Sequence, residues 1–178
     1  MIECPADVSA EDCSIYKRAR KYGLTSTKSY ESFNADAPVT RDEMAKIIGL
    51  YSENYLNQEP IFSEDECTSF KDLGQAKGDL GGYIIRACQL GIMGIKSEDL
   101  TPMNIFRPRD NLQKKEAVTL VDRAFYGNVY EGTQKYWYQS HLAHLVNLGV
   151  IEAGKEDEDF LRRDIYGLLM DLYYINAI

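Results

Sequence analysis

Ala117, Leu120, Val121, Ala124 and Phe125 stand at i, i+3, i+4, i+7 and i+8, the spacing that lays one apolar stripe along a helix. The same plan recurs on either side. Met44, Ile47, Ile48 and Tyr51 form a stripe behind Thr40-Arg41-Asp42-Glu43, and Ile165, Leu168, Leu169, Leu172 and Tyr173 form one behind Asp164. Shorter helical faces lie between these: Asp12 to Tyr22, Leu80 to Cys88, and Leu142 to Val146. They close at Gly23, Gly91 and Gly149, where a C-terminal cap calls for positive φ. The pattern predicts an all-α chain of alternating shorter and longer helices.

The helices keep a register from copy to copy. Tyr16, Ile84 and Leu142 stand seven residues before the three glycines, and Leu24, Ile92 and Val150 one after. Glu43, Glu116 and Asp164 are each followed by apolar residues at +1, +4, +5 and +8 and preceded, two residues earlier, by Arg41, Lys114 and Arg162. Thr40 with Glu43 makes a capping box, and Glu116 and Asp164 serve as caps of the same kind. One helix–loop–helix unit is too small to bury its own apolar face, so neighbouring units must complete the core. The expected architecture is three repeats in a pseudo-threefold arrangement around a central three-helix bundle. Their bounds are 1–53 with an N-terminal extension, 70–128 and 129–178, with 54–69 as a polar surface connection.

Charge narrows the function. A formal net charge of -8 argues against nucleic acid or an anionic membrane as partner. Acidic runs such as Ser63 to Glu66 and Glu156 to Asp159 read as solvated loops. No apolar run approaches the ~20 residues of a transmembrane helix. The start, MIECPADVSAEDC, has neither a basic nor an apolar leader region, so no signal peptide is expected, and the chain reads as an anchor cut from something larger. Cys4, Cys13, Cys67 and Cys88 allow three pairings; Cys88, on an apolar face, reads as a small buried hydrophobe. His141 and His144 share a helix face without an evident third ligand, so no metal or cofactor is expected. There is no Gly-x-Ser-x-Gly, phosphate loop or His-Glu-x-x-His, and no spacing singles out a pair of catalytic carboxylates.

Taken in order, these motifs resemble S-layer homology domains, which occur as three tandem copies. The second unit carries Phe70-Lys71-Asp72, Leu90-Gly91-Ile92, Phe106-Arg107-Pro108 and Lys114-Lys115-Glu116. The first carries Tyr22-Gly23-Leu24, Phe33 and Thr40-Arg41-Asp42-Glu43, and the third Trp137, Leu148-Gly149-Val150 and Arg162-Arg163-Asp164. The likeness spans about Ser14 to Asn176. Gln113-Lys114 departs from the family's Thr-Arg, and the third unit has Leu161 at the cap, Asp164 in place of Glu and no Phe-x-Pro.

The resemblance implies a cell-surface module that binds a cell-wall-linked polysaccharide, often one ending in a pyruvate ketal, in grooves between units. Arginine offers such a carboxylate a planar fork, and a helix start adds unpaired amides and the positive dipole end. Arg41 leads the candidates, followed by Arg162 and Lys114; Trp137 and Tyr136 would stack on sugar faces, and Asp72 would accept sugar hydroxyls. Each has a plainer use: a surface ion pair for the cations, core packing for Trp137, a helix cap for Asp72. Two other classes compete with anchoring, a protein-binding helical scaffold that self-associates in a surface layer, and a glycan-acting enzyme.

Overall fold

The structure, a computed structural model, describes residues 3–132 and 135–176. Those residues form eight α-helices: α1 (Ala10–Lys21), α2 (Tyr30–Phe33), α3 (Arg41–Asn54), α4 (Glu64–Cys67), α5 (Leu80–Gln89), α6 (Lys114–Tyr126), α7 (Gln139–Asn147) and α8 (Arg162–Asn176), with a 3-10 turn at Leu73–Gln75. The all-α reading holds; β-pairing among the described residues is limited to isolated bridges.

The long helices form where their stripes can be buried. Met44, Ile48, Ala117, Val121, Ile165 and Leu169 have no exposed surface. Each long helix is opened by the acid three residues after the cap: Thr40 donates its amide to Glu43 Oε2 (3.4 Å), Gln113 to Glu116 Oε2 (3.1 Å) and Leu161 to Asp164 Oδ2 (3.3 Å). The Thr40 hydroxyl faces the Glu43 amide in box geometry, but the bonds run otherwise. It donates to Asp42 Oδ1 (2.5 Å), which also accepts the Glu43 amide (2.9 Å). The shorter helices α1, α5 and α7 end alike. Leu24, Ile92 and Val150 donate their amides back to Ala19, Ala87 and Leu145, and Gly23, Gly91 and Gly149 between them take φ of 66°, 71° and 72°.

The segments just before α3, α6 and α8 meet in a closed ring. The Val39 amide donates to the Phe160 carbonyl (3.3 Å), the Phe160 amide to Leu112 (2.8 Å), and the Leu112 amide to Val39 (2.8 Å). Three antiparallel bridges flank the ring: Pro38 with Leu161, Thr40 with Asn111, and Gln113 with Asp159. The pattern continues outward. Arg41 and Asp42 donate their amides to the carbonyls of Asp110 and Pro108, Lys114 and Lys115 to Glu158 and Glu156, and Arg162 and Arg163 to Ala37 and Ala35. Asn34, Arg107 and Lys155, each five residues before its ring member, all adopt positive φ (51°, 61° and 61°).

Helix packing follows the same order. α5 packs on α3, α7 on α6 and α1 on α8, while α6 also touches α3 and α8. Tyr51 ties α3 to the other two: its hydroxyl donates to the Leu169 carbonyl (3.1 Å) and its ring lies 5.7 Å from that of Phe125. Many tyrosines are thus spent on packing, and Tyr22, Tyr55 and Tyr173 cluster at the far end of α3 and α8.

Two expectations change here. Cys88 is buried but not a free hydrophobe: it is bonded to Cys67, and Cys4 to Cys13. The 54–69 stretch is also more than a polar surface connection. It carries α4, and the amides of Ile61 and Phe62 both donate to the Gln89 carbonyl at the end of α5. Its polar side chains conceal a backbone and a cysteine that face inward. Closing the 21-residue separation between Cys67 and Cys88 contributes about 3 kcal/mol by loop entropy. The double variant Cys67→Ala/Cys88→Ala is expected to lose about that much unfolding free energy in urea, with native far-UV CD retained.

Candidate functional site

The ring decides what the helix starts have to offer. The first two amides of α3, α6 and α8 are taken by carbonyls of a neighbouring loop, and the amide before them by the capping acid. An anion docking on unpaired amides beside Arg41, Lys114 or Arg162 is therefore not what this fold provides: the backbone of the next loop already fills that place. The charged side chains remain.

Arg41 is buried. Its Nε donates to the Phe106 carbonyl (2.7 Å), its Nη1 to Glu116 Oε1 (2.5 Å), and its guanidinium lies 5.1 Å from the Phe106 ring. Burial pulls its pKa down, and Glu116 works against that pull. Arg162 repeats the contact one junction on, donating from Nη2 to Glu43 Oε2 (3.1 Å). Lys114 does not. Its Nζ is held by the carbonyls of Glu152 (2.7 Å) and Gly154 (2.8 Å). Asp164, one carbon shorter than glutamate, is left without that partner, and burial raises its pKa. Glu43 and Glu116 thus cap their own helix and bind a cation at the start of another long helix at once.

A second set of pairs sits one residue further along each helix. Lys115 pairs with Asp157 and Arg163 with Asp36 (2.5 Å), whereas Asp42 pairs with Arg109 (3.2 Å), the same contact with its charges exchanged. Asp42 is fully buried and also accepts the Lys77 amide (3.0 Å). Sequence reasoning passed over it, although an acid standing where the other copies have Lys115 and Arg163 was a readable departure.

Among the grooves beside these junctions, two stand at corresponding places. The first, of about 240 Å³, is walled by the Gly94–Glu98 loop, Met103, Arg107 and α6. It gathers the cations Arg41, Lys96, Arg107 and Arg123 against Glu98 and Glu116, and Trp137 forms its rim. The second, of about 840 Å³, stands at the equivalent place beside Lys114. There Glu11, Asp12, Glu152, Glu158, Asp159, Asp164 and Asp171 face only Lys114, Lys155 and Arg163. Arg41 and Arg123 are spent on Glu116 and Glu131, which leaves Lys96 and Arg107 as the exposed cations of the first groove, whereas carboxylates outnumber cations in the second.

Trp137 is 40% exposed and Tyr136 45%, so both rings offer faces to solvent. Trp137 packs edge-on to Tyr138 at the groove rim, while Tyr136 stacks on Tyr138 beneath Lys135. Asp72 is committed elsewhere: Oδ1 accepts the Phe106 amide (2.9 Å) and Oδ2 the Arg107 amide (2.6 Å), which pins the loop of the first groove. Its side chain makes no cap bond to the turn that follows.

Behind that groove lies a buried charge network that sequence reasoning missed. Arg123 pairs with Glu131, Glu131 faces His141, and the fully buried Asp122 binds His141 and His144 through its two oxygens, each at 2.7 Å. The two histidines do share a face, and what they share it for is a carboxylate.

No family model and no curated protein matches this chain. The Arg41–Glu116 pair gives a direct check of the geometry. Removing one partner of a buried pair strands the other, so Arg41→Ala is expected to cost about 3 kcal/mol, whereas Arg107→Ala, which loses exposed contacts, costs under about 1 kcal/mol by urea denaturation.

Proposed function

We propose that this chain is a non-covalent cell-envelope anchoring module of three units similar to S-layer homology domains. The units stand in a pseudo-threefold arrangement around a central bundle of α3, α6 and α8, and bind a cell-wall-linked polysaccharide between them. The observation that carries the reading is the closed ring of Val39, Leu112 and Phe160. Caps, loop carbonyls, positive-φ residues and helix contacts recur around it in one cyclic order. That order follows the same landmarks on which the family resemblance rests.

The chemistry of the grooves supports a narrower form of the reading, with the first groove as the main site. The exposed cations Lys96 and Arg107 suit a sugar bearing a carboxylate, such as a pyruvate ketal, and the exposed Trp137 face suits a pyranose ring. The second groove, lined by carboxylates and with Lys114 tied to carbonyls, suits such a ligand poorly. Two disulfides favour an oxidising place such as the cell surface. Glu43 and Glu116 are occupied as caps and ion-pair partners and Asp164 as a cap, a structural use rather than a catalytic one.

Co-sedimentation with purified cell walls tests this. The protein is expected to pellet with intact walls and to stay in solution once the attached polysaccharide has been extracted. Trp137→Ala is expected to weaken pelleting about tenfold, equivalent to 1.4 kcal/mol, with unchanged far-UV CD. Arg41→Ala is unsuited to the purpose because it would unsettle the fold. Equal pelleting with extracted walls would reject the reading, and equal pelleting of Trp137→Ala would move the site elsewhere.

A further inference from the structure

His141 has no exposed surface and lies between two carboxylates. Its Nδ1 is 2.7 Å from Asp122 Oδ2; its Nε2 is 3.4 Å from Glu131 Oε1 and has no hydrogen-bond partner. A carboxylate can only accept, so a neutral imidazole here would point a lone pair at an anion in a medium of low dielectric. The imidazolium presents a hydrogen to both. The charged and titratable groups around it come from every element packed there. α6 supplies Asp122, Arg123 and Tyr126, the α6–α7 connection supplies Glu131 and Tyr130, and α7 supplies His144, whose ring stacks on Tyr130 at 3.7 Å. With His141 charged, Arg123 and His141 balance Glu131 and Asp122; with His141 neutral, a buried negative charge is left over.

The balance reaches the first groove through Arg123. Its Nε pairs with Glu131, its Nη2 donates to Ser97 Oγ (3.0 Å), and its Nη1 lies 3.5 Å from the Ile92 carbonyl. Ser97 and Arg123 line that groove, and Trp137 on its rim stands one turn before His141. We propose that His141 and Glu131 are positioning residues of the first groove. The imidazolium fixes the Glu131 carboxylate, Glu131 fixes the Arg123 guanidinium, and Arg123 holds the Ile92–Ser97 wall against α6. The inference rests on the reading of this groove as the glycan site, but its test needs no glycan.

The direction of the pH dependence follows. Burial opposes charge on His141, yet its hydrogen bond to Asp122 and the Glu131 carboxylate 3.4 Å away raise its pKa above the ordinary 6.5. The stability it contributes is full below about 6.5 and is lost as pH rises through that raised value. Burial pushes Glu131 up, but His141 and Arg123 overrule it and hold it at about 2. Its contribution is present above about 4.5 and is lost as pH falls towards 2. The wall is therefore firmest from mildly acidic to neutral pH and loosens on the alkaline side.

The test combines ¹⁵N NMR of the imidazoles with hydrogen exchange of the Ile92–Ser97 amides across pH, corrected for intrinsic exchange. Both His141 nitrogens are expected to keep their protons to a higher pH than an ordinary imidazole does. Wall protection, and the emission of Trp137 as the chain's one tryptophan, should change with the same midpoint as His141. Glu131→Gln should lower both midpoints, because His141 loses a charge partner. A His141 that titrates at or below the ordinary 6.5, or a wall that ignores its titration, would overturn the inference. The wild-type titration decides the matter even if Glu131→Gln fails to fold. Failure of the wall-binding test with this result intact would remove the ligand and leave the positioning.

Discussion

Three backbone hydrogen bonds, from Val39 to Phe160, Phe160 to Leu112 and Leu112 to Val39, join segments more than forty residues apart. Everything else in the fold is hung from them. Because each segment runs straight into a long helix, closing the ring brings the three helix starts together and hands their first amides to the loops opposite. Helix ends normally leave such groups for water or side chains; here a neighbouring loop satisfies them. The three long helices are mutually dependent for that reason, since each without its neighbours would lose core partners and N-terminal acceptors together.

The side chains around the ring then give each junction its own character. Asp42 with Arg109 reverses the charge order of Lys115 with Asp157 and Arg163 with Asp36. Setting α3 against the wrong loop would place Asp42 against Asp157, so the reversal opposes a misordered ring as well as supporting the correct one. The same individuality shapes the grooves. At the place where α6 contributes Arg123 to the first groove, α8 contributes Asp171 to the second, and similar backbones come to line grooves of different charge.

Much of the fold could be read from side-chain periodicity. The stripes behind Glu43, Glu116 and Asp164 and the glycines at 23, 91 and 149 mark the helices and their ends because apolar spacing and positive φ are local properties. The ring could not be read, since any residue can make its bonds. Arg41 was legible as a special cation but not as a buried one, because Glu116 and the Phe106 carbonyl that hold it lie more than sixty residues away. Asp72 looked like a sugar acceptor or a cap until the Phe106 and Arg107 amides came to it from another loop. The histidine pair was visible and its partner was not, because Asp122 lies on a different helix.

The central claim is that the groove between Arg41, the Gly94–Glu98 loop and Trp137 holds an anionic wall glycan. It is tested most directly by ¹⁵N–¹H NMR of the protein titrated with polysaccharide released from purified cell walls. The account predicts shifts concentrated at the Trp137 indole N–H and the amides of Gly94 to Glu98, with the acidic groove around Asp164 and Asp171 unmoved. Shifts centred on that acidic groove, or none at saturating polysaccharide, would contradict it.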